Sequence, residues 1–532
     1  MFSKQIFPLK KELFSSLVYD YLSRNDKVKE FYNFFPDKSG YMEAINEIKK
    51  YSFNRELLVA EINSASASVK NTSNQSQVNA ELLLKSNTYT VTTGHQLCLF
   101  TGPLYFIYKI FSVINLCEAL KTEFPDHNFV PVYWMASEDH DFEEINHLNV
   151  YGKKIVWETT EKGAVGDFST NGLDVVKSAL EACLGNSQDA QKLIQLFDEA
   201  YLKHSNLSDA TRYLVNVLFG KYGIVVVDGN NKLLKQSFAK FFASDIFENN
   251  VYSEVNKTIT KLNSLKYEVQ VNPREINCFY MDKGLRARIE KQNGNYSITG
   301  TDKVFTKTEL TTLIENLTEK ISPNVVLRPC YQQYILPNIS YVGGPGELAY
   351  WLEYKEMFNK SGLFFPVLTP RKFITIMEKN VVNKLEKLGF EKENVFATEQ
   401  EMVKIYLEKN NKSFDIEQYK KSVESLFKEI AVEMAKVDKT LLASAEAEKQ
   451  KNLNSIDVLG QKATRAIKQK SETEINQIKS IKSKLFPDGV PQERLENFSS
   501  QYAKWGDGFM DAMKKNLNYD LKSNTIEIIF EN

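Results

Sequence analysis

Cysteine, histidine and one-sided charge are all scarce in this chain, and each shortage narrows what it can be. The five cysteines (Cys98, Cys117, Cys183, Cys278, Cys330) are odd in number and widely scattered, with no CxxC pair. That spacing excludes a disulfide framework or a zinc ribbon and fits reduced thiols in the cytoplasm. Acidic and basic residues nearly cancel, 68 against 67. The chain therefore lacks the overall basic surface that a phosphate backbone requires, and nucleic acid is not expected as a partner. No run of about 18 apolar residues occurs, so no membrane span is expected. The stretch MFSKQIFPLKKELF has no continuous apolar segment of the kind a secretory leader carries. Walker A, GxGxxG and HExxH motifs are missing as well.

What is present is a large, well-patterned interior. With 532 residues, 42% of them hydrophobic, the chain exceeds one ordinary core and predicts two to three units. Short β-branched or aromatic runs at Thr88–Thr93, Phe129–Ala136, Ile224–Asp228, Asn324–Arg328 and Phe364–Thr369 are candidate buried strands. The helix-length stretch Leu104–Lys121 lies between the first two, which makes a βαβ unit and points to an α/β, doubly wound parallel sheet. Residues 146–166 predict a hairpin with a Gly-Lys turn, and residues 274–305 another around Asn293-Gly294-Asn295. These define a core over 1–395 with insertions near 146–215 and 245–320. From Tyr419 the apolar positions Val423, Leu426, Ile430, Val437 and Leu441, then Ile456, Leu459, Ala463, Ile467, Ile478, Ile481 and Leu485, keep helical spacing among many charges. Residues 396–490 thus predict a coiled-coil hairpin bending near Asn452 and Asn454, either a dimerising device or a self-packed appendage. Residues 491–532 are expected to return to the core.

Four of the five histidines fall between His95 and His147. His95, with Gly94 and Gln96, follows the first strand, where ligands bind in open α/β sheets. Thr101, Gly102 and Tyr105 belong to the helix start that comes next, whose free N–H groups could face an anion. His95 would then donate to developing charge, or else be a loop histidine bonded to backbone. The second strand runs into Ser137-Glu138-Asp139-His140-Asp141. Asp139 and His140 could form a carboxylate–imidazole base, while the acids could equally be dipole complements at a helix start. On a helix, His140, Glu144 and His147 would share a face, which keeps a metal reading open. Gly343, Gly344, Gly346 and Glu347 open a helix in a manner suited to anion approach or to a simple turn. Arg328, Gln332 and Arg371 sit at expected strand ends, suited to carboxylates, phosphates or surface ion pairs. Asp228 suits ribose hydroxyls, or simply a turn.

Four segments, TGHQLCLFTGPLY at 93–105, PVYWMASEDHDFEEINH at 131–147, LRPCYQQYILPNISYVGGPGELAYW at 327–351 and LFPDGVPQER at 485–494, occur in order over most of the chain. Together they resemble the BshC family, cysteine ligases of bacillithiol biosynthesis; the family pattern often has Gln where this chain has His95. The resemblance implies a Rossmann-like core with inserted connecting segments, similar to class I aminoacyl-tRNA synthetases, and a C-terminal coiled coil that forms a homodimer. It also implies cysteine joined through its carboxyl to the amine of glucosaminyl malate. A free carboxylate does not acylate an amine until its oxygen becomes a leaving group, so ATP-dependent adenylation is the chemically expected route. In that scheme Asp139 or His140 takes the amine proton, Arg328 and Arg371 assist, and no metal site is expected. A thiol-metabolite-binding scaffold and a metal-dependent amide or sugar hydrolase remain the alternatives.

Overall fold

The computed structural model describes residues 2–531 other than 70, 411, 413 and 522–524. Two compact units emerge: one comprises residues 4–375 and 493–527, and the other is built on residues 376–492.

The first unit is organised by five strands, β1 (Thr88–His95), β2 (Asn128–Met135), β3 (Val225–Asp228), β4 (Asn338–Gly343) and β5 (Val367–Pro370). All pairings are parallel and the order is β5-β4-β1-β2-β3. This is the doubly wound arrangement anticipated from sequence, and its strand order reverses between β1 and β4. Ligands bind outside the carboxyl ends of the strands at such a reversal. β1 is buried at every residue, as a central strand covered on both faces must be. Its carboxyl end lies beside that of β2, with His95 paired to Met135. The helix α1 (Tyr105–Glu123) is buried at each position from Phe106 to Cys117, which explains its lack of a polar face.

Two expectations about the core fail for local reasons. Asn324–Arg328 is not a strand. The Asn324 side chain accepts from the N–H groups of Val326 and Leu327, and Arg328 opens helix α2 (Arg328–Ile335) with Pro at its start. The strand in its place, β4, lies in the stretch that led into the glycines. The first hairpin, 147–150 against 153–156, turns on Tyr151-Gly152 and not Gly-Lys. Both turn residues have positive φ, 51° and 76°, as a type I′ turn demands.

The chain between β3 and β4 carries a second sheet, antiparallel, ordered 304–305, 295–298, 285–292, 278–282, 321–323. Its expected Asn293-Gly294 turn is present, again with two positive φ values. After β4 comes the short helix α3 (Pro345–Trp351).

The second unit holds α4 (Glu417–Val437), α5 (Leu442–Lys470) and α6 (Glu472–Leu485). The bend between antiparallel helices falls at Asp438–Leu441, where Asp438 caps Thr440, and not at Asn452 and Asn454. Those asparagines sit inside α5, where Asn452 donates to the Glu448 carbonyl one turn back. α4 buries none of its residues.

Candidate functional site

The strand reversal brings the glycine ends of β1 and β4 together, and three charged side chains converge on them. A Cβ on Gly94 would lie 3.3 Å from the Tyr341 hydroxyl and 3.5 Å from an Arg328 guanidinium nitrogen. A side chain there would crowd the Tyr341 hydroxyl, while the guanidinium would be in ordinary contact. Lys109, from the buried interior of α1, donates to the Gly94 carbonyl at 2.5 Å and pairs with Glu347 at 2.7 Å. Glu347 also accepts from the Tyr341 hydroxyl at 2.6 Å and from the Gly344 N–H at 2.9 Å. Burial alone would raise the Glu347 carboxyl, but Lys109, Tyr341 and Gly344 outweigh it and hold it below its ordinary value. The sequence left the glycine-rich turn open to an external anion or to a simple connection. The turn's N–H at Gly344 is capped by Glu347, and nothing lies within 4 Å of a Cβ built on Gly346.

Around this knot lie buried polar atoms without partners among the described residues: Nε2 of His95, Nε2 of Gln332 and Nε of Arg371. Such atoms are costly when left unpaired. Gln332 uses its Oε1 to accept from Arg328 at 2.9 Å. Arg371 follows β5 and grips Glu493 with both terminal nitrogens, at 2.9 and 2.5 Å. Its fork, expected to bind substrate, is thus filled by the chain's own carboxylate, leaving Nε, which would sit 3.4 Å from a Cβ on Gly344. His95 lies against Tyr105 and Phe106, with ring centroids 5.4 and 4.9 Å away. Burial, then the charge of Lys109, push its imidazole well below its ordinary value against a Thr101 backbone hydrogen bond. His95 is therefore neutral.

The loop from β1 to α1 is strained. Phe100 and Thr101 have φ of 47° and 72°, a region non-glycine residues avoid. Asn497 holds them, donating to the carbonyls of Phe100 at 2.8 Å and Gly102 at 2.6 Å, while Tyr201 accepts from the Phe100 N–H. The helix itself begins at Tyr105. The Leu104 N–H just before it is taken by the Glu496 carbonyl, so this start is less open to an anion than the sequence suggested.

The second cluster follows β2. Gln96 donates to Asp139 at 2.7 Å and to Glu144 at 2.8 Å, joining the two strand ends. Burial would raise the Asp139 carboxyl, but contacts from His140 and Gln96 and the charge of Arg286 prevail and hold it well below the usual carboxylate range. Asp139 accepts from the His140 backbone N–H at 2.8 Å, but the imidazole does not complete the expected dyad: its Nδ1 stands 3.7 Å from Asp139 and faces Arg286 at 2.8 Å. Glu138 turns away to the buried Lys235 at 2.6 Å, and Ser137 donates to Asp228, which also accepts from the Asn230 N–H. The shared helical face of His140, Glu144 and His147 does not exist, because the helix is one turn, Phe142–Ile145, and His147 opens the hairpin. No group of three or more His, Cys, Asp or Glu side chains among the described residues is arranged to hold a metal ion.

Lys109, Arg286, Glu493 and Asn497 went unnoticed in the sequence. Lys109 left a signal, a lone cation inside the apolar run YFIYKIFSVINL. The others reach the site only through long-range folding.

A parallel sheet whose strand order reverses beside buried cations and unpaired polar atoms defines a Rossmann-like protein. The family models for the BshC N-terminal Rossmann-like domain and C-terminal coiled-coil domain match residues 2–372 and 374–527, and the chain belongs to the BshC family of bacillithiol biosynthesis. A Flavobacterium psychrophilum protein named "Putative cysteine ligase BshC" is 40% identical, over 96% of both chains. Proteins of the same name from Salinibacter ruber and Bacillus anthracis are 30% and 27% identical, covering 84% of both chains and 96% and 98% respectively. A solved structure described as a "putative arginyl t-RNA synthetase" from Campylobacter jejuni covers 89% of this chain and 100% of its own at 12% identity. Its TM-score of 0.24 carries no argument.

Proposed function

We propose that this chain is a cysteine ligase that joins the carboxyl of cysteine to the amine of glucosaminyl malate, forming an amide bond. The observation that carries the reading is the set of orphaned buried groups, His95 Nε2, Gln332 Nε2 and Arg371 Nε, around the reversal of a sheet whose family is named for this chemistry. Two of the three are donors, and Lys109 and Arg328 add positive charge beside them. A carboxylate or phosphate is the ligand class this polarity suits. ATP, as co-substrate, would supply the leaving group that a free carboxylate lacks, and the same donors fit its phosphates. His95, neutral and with a free nitrogen, accepts a hydrogen from the incoming amine and orients its lone pair. Asp139 is held too acidic to be an effective base; its work is to fix Gln96.

Cysteines that are free and mostly buried suit the reducing cytoplasm, where we place the protein. We further propose a homodimer through the second unit, where Leu426, Val432, Val437, Val458 and Leu459 are exposed along α4 and α5. No helix among the described residues is long and apolar enough to cross a membrane.

The test combines cysteine, ATP and glucosaminyl malate with purified protein and looks for the amide product by mass. Well-folded protein that yields no product sinks the ligase reading. Titration of cysteine or glucosaminyl malate without turnover would mark a binding scaffold, and hydrolysis lost to a chelator a metal-dependent hydrolase.

A further inference from the structure

The inserted antiparallel sheet meets the loop after β2 at Arg286 and Phe279, both of which contact His140. Arg286 stands near the start of strand 285–292, and its side chain is 7% exposed. Each of its three guanidinium nitrogens makes one hydrogen bond. Nε donates to Ser322 Oγ at 3.1 Å, Nη2 to the Pro323 carbonyl at 2.9 Å, and Nη1 to His140 Nδ1 at 2.8 Å. The guanidinium carbon lies 4.1 Å from the centre of the Phe279 ring, and the His140 ring packs on the same phenyl at 5.3 Å. Both groups are thereby held in plane and distance.

Arginine has five donors and no acceptor, and it does not deprotonate in proteins. A 2.8 Å contact from its Nη1 to Nδ1 therefore requires a lone pair on Nδ1. A proton there would set two N–H groups head to head, and the nearest carboxylate oxygen, on Asp139, is 3.7 Å from Nδ1, too far to claim it. We infer that Arg286 is a positioning residue that fixes His140 as the Nε2–H tautomer, so that the ring meets the substrate as a hydrogen-bond donor and not as a base. The role reverses the expectation drawn from Asp139-His140 as a dyad. It deepens the ligase reading, and only its kinetic part rests on that reading. In amide formation, negative charge builds on the former carboxyl oxygen as the C–N bond forms, and a neutral N–H donor stabilises it without transferring its proton.

The experiment uses full-length protein labelled with 15N-histidine and long-range 1H–15N correlation, with His140→Gln to assign the resonance. The expected pattern is a pyridine-like Nδ1 and a pyrrole-like Nε2 in wild type. Arg286→Met should lose that preference, and Arg286→Lys, which retains a donor, should restore most of it. In the reconstituted reaction Arg286→Met should lower kcat at least tenfold with KM for cysteine within about threefold. A pyrrole-like Nδ1 in wild type overturns the inference, as does an unchanged tautomer in folded Arg286→Met. Should Arg286→Met fail to fold, Arg286→Ala takes its place in the same comparison, with the same outcomes expected and overturning. Absence of product with the expected tautomer present rejects the ligase reading and leaves the tautomer assignment standing.

Discussion

Replacing Lys109 by Met should unbalance the site more than any single exposed charge could. Met keeps the length and apolar stem of lysine, so the perturbation is the loss of one ammonium. The 2.7 Å pair with Glu347 and the 2.5 Å bond to the Gly94 carbonyl disappear together. Breaking a buried ion pair on one side costs about 3–5 kcal/mol, because the surviving charge stays in low dielectric. Lys109 is 3% exposed and Glu347 22% by side chain, so the lower end, about 3 kcal/mol, is expected. The sign with pH follows from Glu347. Without Lys109, burial raises its folded pKa above the unfolded value. A raised carboxyl stabilises at low pH and loses that contribution as pH rises through the folded pKa. The deficit should therefore be larger at pH 8 than at pH 5. Glu347→Gln in the same background should recover about 2 kcal/mol relative to additivity. Urea unfolding followed by tryptophan fluorescence is the assay, since Trp134, Trp157, Trp351 and Trp505 all lie in the unit that contains the pair. A cost below about 1 kcal/mol, equal at both pH values and additive with Glu347→Gln, would refute the reasoning.

Further outcomes follow from other contacts. His95→Gln should keep ligase activity within about tenfold, since an amide oxygen can accept the same hydrogen, whereas His95→Ala should lose about 10- to 100-fold, measured as kcat/KM. Burial pushes the Glu353 carboxyl up to about 7, against backbone hydrogen bonds from Gln270 and Val271. Its contribution is full below its unfolded value and fades as pH climbs toward 7, so the Tm of the core unit should fall between pH 5 and 8. Glu353→Gln should flatten that slope; an equally steep profile in the variant excludes Glu353 as its source. Leu426→Glu combined with Leu459→Glu should shift the molecular mass by light scattering from two chains to one while leaving tryptophan-detected unfolding unchanged.

How much of this was legible depended on whether a signal was local. β1 and β2 announce themselves as β-branched and aromatic runs ending in Gly-His and Ala-Ser, and the crevice they define is where Gly94, His95 and Gln96 lie. Asn324–Arg328 has the composition of a strand, yet one asparagine side chain satisfying two N–H groups converts it to a helix entrance. β4 was hidden because its apolar residues run straight into the glycines that drew attention as a loop. The dyad at Asp139-His140 was plausible by adjacency alone. Neighbours in sequence need not face each other, and here the imidazole faces an arginine from a sheet more than a hundred residues away. Glu493 and Arg371 illustrate the same limit, since neither residue's sequence surroundings name the other.

The clamp that Asn497 places on Phe100 and Gly102 has a temporal consequence. The loop beside His95 adopts a conformation its own residues disfavour, and the group that holds it is encoded 395 or more positions later. The ribosome delivers the long helices of the second unit, within residues 376–492, before that asparagine emerges. A nascent chain can therefore build the sheet early, but this loop is clamped only after Asn497 has been made. Fragments ending before Asn497 would carry the strands without a set loop, so the loop's conformation waits on a residue encoded far downstream of it.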